Sequence, residues 1–210
     1  MSDPALTLMQ WLSPAFPVGA FAYSHGLEQA IADGQVTDDA SLQSWITVLI
    51  TRGSCKADAI LLTAAYNAAN PRDVDATARA FAASAERLKE SDLQGAAFCD
   101  TARAVWNISI SGLTYPVAVG AAARAMEVPL AQTLPLYLHA FASNLVAAAQ
   151  RLMPLGQTAG QQVLADLASS IATTATFAER ATLDDLSATS FAADIAAMRH
   201  ENLQPRIFRT

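Results

Sequence analysis

The amino-acid sequence predicts an all-α protein, a single domain over residues 1–210 built as a bundle of about eight to ten helices, with an irregular N-terminal segment and a flexible C-terminal tail. Three observations predict it. Alanine, the strongest helix former, makes up roughly a fifth of the chain. Apolar residues recur at spacings of three and four through most of its length. Strand signals are few: "NISISGL" alternates weakly, and β-branched runs are otherwise absent. A chain of this length buries roughly 70% of its unfolded surface, so neither metal nor disulfide is needed to hold its core.

The first stretch to interrupt the helical pattern is "SPAFPVGAFAYSHGLEQ", residues 13–29. Pro14 and Pro17 bar a helix before about residue 18, yet Phe16, Phe21 and Tyr23 give it more bulky apolar surface than a solvated loop needs. Thr37 is read as the cap of the next helix, with Asp38 and Asp39 in its first turn and a stripe of Leu42, Trp45, Ile46 and Leu49. Asn70 followed by Pro71 starts another, and Val74, Ala78, Phe81, Ala85 and Leu88 form one stripe across residues 73–89. Ser91 and Gln94 read as a capping box before a helix over 95–106. From Leu130 to Leu152 apolar residues cover almost every face, which predicts a helix buried in the middle of the bundle, with Asn144 finding partners inside. "PLGQTAGQQ", residues 154–162, ends that helix and leads into one over 160–174.

Composition excludes several classes of function. Net charge is −6, and the thirteen Lys and Arg residues are scattered apart from Arg206 and Arg209. Nucleic-acid binders displace phosphate counterions with clustered basic residues, so nucleic acid is not an expected partner. Cys55 and Cys99 form no ligand or CxxC pattern and read as core thiols in a reducing compartment. Ala5 to Leu12 is short and lacks a basic lead-in, so no signal peptide is expected. No run reaches the ~18 apolar residues of a membrane span. The expectation is a soluble cytoplasmic protein without membrane contact.

Chemistry-bearing constellations are scarce. His25 and Glu28 lie three apart, but two ligands do not make a metal site, and the pair reads as solvent-facing at a helix start. His139 reads as a satisfied core histidine, and His200-Glu201 as an exposed C-terminal turn. GxSxG, GxGxxG and GxxxxGK[ST] patterns are absent. No catalytic, cofactor or metal residues are assigned, which favours a binding or scaffold role. Three segments exceed a plain bundle. They are the opening stretch, the corner "RLMPLGQTAGQQ", which also reads as a mere turn, and the tail "MRHENLQPRIFRT". In the tail, Ile207 and Phe208 flanked by arginines have the composition of a docking end.

These segments resemble the F-type urease accessory proteins (UreF). An SPxxPxGxFxYSxGLE opening is matched by Ser13, Pro14, Pro17, Gly19, Phe21, Tyr23, Ser24, Gly26, Leu27 and Glu28. A basic residue followed by LxPxGQxxxQ is matched by Arg151, Leu152, Pro154, Gly156, Gln157 and Gln161. The RHExxxSRLFRS ending is matched by Arg199, His200, Glu201, Arg206, Phe208 and Arg209, and an ExxxQGxxF stretch by Glu90, Gln94, Gly95 and Phe98. Departures are Ala20 for a second glycine, Arg151 for lysine, Gln204-Pro205 for Tyr-Ser, and Ile207 for leucine. The resemblance implies an all-α, non-catalytic, homodimeric factor without a cofactor of its own. Such a factor binds a D- or H-type accessory protein and a G-type nickel GTPase, and acts on apo-urease as a complex. Residues 1–23, with Phe16 among them, and residues 201–210 would be partner-binding, and the Arg151 corner would lie near the dimer interface or the GTPase. Two rival readings stay open: an enzyme using His25, Glu28 or His139, and a generic α-helical interaction module.

Overall fold

The computed structural model describes residues 3–209; Met1 and Ser2 of the opening segment and Thr210 of the tail lie outside the described residues. The chain starts with α1 (Pro4–Trp11) and runs irregularly, through a 3-10 turn at Ala20–Ala22, into α2 (Leu27–Ala32). Then follow α3 (Asp39–Arg52), α4 (Ser54–Asn67), α5 (Pro71–Phe81), α6 (Ala85–Trp106), α7 (Tyr115–Ala125), α8 (Leu130–Leu152), α9 (Gln157–Asp166), α10 (Ala168–Ala178) and α11 (Phe191–His200). Every regular element among the described residues is helical, as the alanine content and periodicity predict.

Caps explain most boundaries. Asp38 rather than Thr37 caps α3, its carboxylate accepting from the Ser41 N–H at 2.8 Å. Asn70 caps α5 with Pro71 in the first turn. The single helix expected over 73–89 is two, because Ser84 takes the Arg87 N–H at 3.1 Å and starts α6 afresh. Ser91 therefore lies inside α6, and its hydroxyl accepts from the Tyr115 N–H instead of capping. The helix expected over 160–174 is likewise two, divided at the buried Leu167. "NISISGL" forms no strand and serves as the α6–α7 linker, anchored by buried Ile108 and Leu113.

The centre of the bundle is α7 against α4, not α8. Pro116 to Ala123 are all buried, and Gly120 lets α7 come close to α4: a Cβ there would stand 2.2 Å from the Leu62 carbonyl oxygen. Helix α8 exposes Ala131, Gln132, Leu136, His139 and Ala147 along one side, so His139 is a surface residue and not a core one. Its inner side packs on α10, α9, α4 and α2. Trp11 of α1 meets Phe98 edge-on at 5.4 Å and Trp106 at 5.7 Å, and Phe16 lies 5.5 Å from Phe98. These aromatics pin the opening segment to α6. Cys55 and Cys99 are buried free thiols. No helix among the described residues is long and apolar enough to cross a membrane.

Candidate functional site

Two consecutive left-handed residues, His25 (φ 52°) and Gly26 (φ 76°), turn the opening segment into α2. Gly26 is required twice over, since a Cβ would stand 2.8 Å from the Ala197 backbone nitrogen as well as adopt a disfavoured φ. The turn lets α2 lie against α11 and aims Glu28, in the first turn of α2, at the chain's other end. There its carboxylate accepts from the Ile207 N–H at 2.7 Å and the Phe208 N–H at 2.9 Å, and meets His200 Nε2 at 2.9 Å. The opposite nitrogen of His200 faces Glu86 at 3.0 Å, and Arg206 donates to the same Glu86 at 2.6 Å. Both ring nitrogens of His200 face carboxylate oxygens, and both can donate only when the ring is an imidazolium. Burial works to raise the Glu28 carboxyl, but the hydrogen bonds from His200, Ile207 and Phe208 outweigh it and hold the group below the ordinary carboxylate range.

A second set of contacts closes the junction. Three successive carbonyls of the opening segment are taken by α8 and the tail. Phe21 accepts from Arg151 at 2.9 Å, Ala22 from the Arg209 N–H at 2.8 Å, and Tyr23 from Asn144 at 3.2 Å. The Arg151 guanidinium also lies 4.4 Å above the Phe208 ring. The Gln204–Pro205 peptide is cis.

Several expectations are corrected by this geometry. The tail is docked rather than free: Phe208 is only 3% exposed, because its backbone N–H and its ring each find a partner inside the chain. His200 is fully buried for the same reason, held between two carboxylates. His25 and Glu28 are not a solvent-facing pair. Both are buried, and the left-handed turn sends their side chains apart, one to Glu90 and the other to the tail. Within the opening segment Phe16 and Tyr23 are already packed, which leaves Pro14, Pro17 and Phe21 outward. Ser13 caps its own turn by accepting from the Ala15 N–H, and Gly19 supplies a left-handed residue.

The structure brings Phe21, Tyr23, Gly26, Glu28, Arg151, His200, Arg206, Phe208 and Arg209 into one junction. It does not bring in the rest of the corner. Pro154, Gly156, Gln157 and Gln161 are exposed, with Gln157 tied only to Gln150 at 3.3 Å, and the Glu201 side chain also faces outward.

Beside the junction, a groove of about 370 Å³ separates the opening segment from the exposed side of α8. Its floor is polar and buried. Arg87 bonds Asp58 at 2.5 Å and lies 3.3 Å from Glu90, Tyr137 donates to Asp58 at 3.1 Å, and Gln94 donates to Glu90 at 3.0 Å. His25 Nε2 stands 3.2 Å from Glu90. Burial, helped by the Arg87 charge, lowers the His25 pKa from 6.5 to about 3, so the ring is neutral. Burial likewise raises the Asp58 carboxyl, against the pull of Arg87.

Asp58, Glu86 and Arg87 went unsuspected in the sequence. A signal existed: Arg87, Glu90 and Gln94 are polar at helical spacing on the face that also carries the buried Phe98. Also unforeseen is the outer stripe of α11, where Phe191, Ile195 and Met198 are exposed. Among the described residues no group of three or more His, Cys, Asp or Glu is placed to hold a metal ion.

Comparison with known proteins agrees with the quoted motifs. The UreF family model matches residues 36–168. A urease accessory protein UreF from Roseobacter denitrificans is 54% identical, covering 100% of this chain and 95% of its own. One from Ruegeria sp. strain TM1040 is 56% identical, with 100% and 99% covered. One from Bradyrhizobium diazoefficiens is 47% identical, with 97% and 90% covered.

Proposed function

The chain belongs to the UreF family of urease accessory proteins, and on that premise we propose that it is the bridge that links a D- or H-type accessory protein to a G-type nickel GTPase on apo-urease. Its role lies in urease maturation and is not catalytic. Nickel is the cargo of the assembly, and the protein acts as a homodimer in the cytoplasm. The observation that supports this reading is the junction itself. Motifs from opposite ends of the sequence meet in one junction, in which the buried Glu28 and His200 hold the tail beside Arg151 at the surface. Such a surface presents Phe21, Ile207 and three arginine side chains to a partner, a composition enriched at interface hot spots.

Deletion of residues 206–210 tests it. Losing the buried Phe208 removes about 1.5–3 kcal/mol of apolar burial, which lowers the melting temperature of a chain this size by roughly 3–12 °C. The truncated protein should stay helical at 25 °C but fail to co-purify with the D- or H-type protein, and urease should stay inactive on addition of nickel. Normal complex formation and urease activation by a folded truncated chain would remove the junction from the mechanism.

A further inference from the structure

The groove between the opening segment and α8 has two unsatisfied polar atoms. Among the described residues His25 Nδ1 and Trp11 Nε1 are buried without a hydrogen-bond partner, and both residues line the cavity. Orphaned groups of this kind are rare, because a buried donor or acceptor without a partner keeps its full desolvation cost. They are complementary. The neutral His25 ring keeps its proton on Nε2, toward Glu90, so Nδ1 is a bare acceptor, whereas the indole nitrogen of Trp11 can only donate. The walls around them are apolar and largely aromatic: Leu12, Phe16 and Val18 on one side, Phe141 on the other. A volume of about 370 Å³ lies in the range of roughly 300–1,000 Å³ usual for ligand pockets.

We propose that this groove seats the side chain of a tyrosine from a partner protein. A phenol hydroxyl is both donor and acceptor, so it can answer either orphaned atom, the His25 Nδ1 acceptor or the Trp11 N–H donor, and its flat ring suits the walls. The mouth of the groove identifies the occupant as part of a protein rather than a free small molecule. Met9, Phe21 and Leu136 continue the lining outward and are 66%, 69% and 38% exposed, an apolar rim that a small ligand would leave wet. Tyrosine is also among the side chains that anchor interfaces most often. The backbone agrees: His25 sits at a left-handed φ that a non-glycine residue seldom adopts, held there by the turn into α2. This inference rests on the reading that the chain works by docking to other proteins, but its first test needs the chain alone.

The full chain, labelled with ¹⁵N-histidine, is titrated by NMR with 4-methylphenol, 4-methylanisole and toluene. The phenol should bind with a Kd on the order of 1 mM, as befits an isolated anchor fragment, and shift the His25 Nδ1 resonance. Methylation of its oxygen removes the donor and should weaken binding about tenfold, with toluene no better. Replacing the half-buried wall residue in Ala140→Trp should abolish phenol binding while circular dichroism stays unchanged, and should cut capture of the accessory partners at least tenfold. Equal binding of the three compounds, or no response at His25 up to the solubility limit, would overturn the proposal. So would binding of the phenol that survives the plug. Micromolar affinity for free 4-methylphenol would replace the partner's tyrosine with a small phenolic ligand. If the unmodified chain captured no accessory protein, the bridging role would fail while the titration still decided the chemistry of the groove.

Discussion

His200 and His25 are both buried histidines beside glutamates, and they do opposite things. Each nitrogen of His200 meets a carboxylate, Glu28 at 2.9 Å and Glu86 at 3.0 Å, and the ring fastens α11 and the tail to α2 and α6. His25 meets one carboxylate, Glu90 at 3.2 Å, and its other nitrogen has no partner. The difference lies in what surrounds them. Arg206 and two backbone N–H groups complete the charge and hydrogen-bond balance around His200. His25 is kept neutral first by its burial and then by the Arg87 guanidinium nearby, which already serves Asp58 and Glu90. A histidine with both valences filled is a fastener, whereas one with a free lone pair in a groove is a receptor for something else.

The largest way to break the comparison is through Glu28. In Glu28→Ala, the His200 ring loses one of its two carboxylate partners, and the Ile207 and Phe208 N–H groups lose their acceptor together. Breaking a buried pair from one side costs about 3–5 kcal/mol, and urea denaturation should register a loss of that size. Glu28→Gln keeps an acceptor oxygen and should lose less. If Glu28→Ala costs under about 1 kcal/mol, the tail is not fastened by this carboxylate.

The junction also shows where sequence reading reached and where it stopped. Periodicity and caps gave the helices, because amphipathic stripes and Asn70-Pro71 act within one turn of chain. The division at Ser84 was hidden: the stripe from Val74 to Leu88 is unbroken in sequence, and the extended backbone at Ala82 and Ser84, with Ser84 capping onto Arg87, separates the two helices. The matched motifs marked Glu28, Arg151, His200 and Phe208, but not that they touch. Contacts across some 180 positions carry no local signature, so a tail ending in Pro-Arg-Ile-Phe-Arg reads as free when it is docked. Helix α8 misled for a related reason. Its outer side carries alanine, leucine and Phe141, apolar because the groove needs a wall and not because the core surrounds it.

Acid titration sharpens the contrast from the side of His25. Its folded pKa is lowered from 6.5 to about 3, so between those values the unfolded chain takes up a proton that the folded chain refuses. Stability from this group is therefore complete above pH 6.5 and lost as pH falls below it, with a slope of about 1.4 kcal/mol per pH unit for one proton. The Glu28 carboxyl, depressed in the folded state, begins to add its own loss as pH falls through the ordinary carboxylate value of 4.5, so the two windows overlap below that and the His25 slope is read alone only above it. His25→Asn tolerates the left-handed backbone and can still donate to Glu90. Denaturation of the two proteins between pH 6.5 and 5.5 should show the slope in the parent chain and its absence in the variant. Equal slopes would mean that His25 is protonated in the fold and its free nitrogen is no acceptor.

The smallest effect expected is at Arg151, which joins the fastened region to the exposed corner. Its guanidinium donates to the Phe21 carbonyl at 2.9 Å and covers the Phe208 ring at 4.4 Å, but the side chain is exposed, so solvent screens both contacts. An exposed cation–π contact contributes about 0.5–1 kcal/mol, and water can replace the donor at Phe21. Arg151→Ala should therefore cost about 1 kcal/mol in global stability, less than the Glu28 change because no buried charge is stranded. Its local effect should be clearer. The Phe208 N–H remains on Glu28 but loses the cover over its ring, and hydrogen exchange at that amide should speed up about fivefold with little change in α7. Arg151→Lys keeps a cation near the ring but not the planar fork that also reaches Phe21, so it should fall between the two. Protection at Phe208 equal in all three proteins would mean that Glu28 and His200 hold the tail unaided, and that Arg151 belongs with Gln157 and Gln161 as a surface residue turned toward a partner.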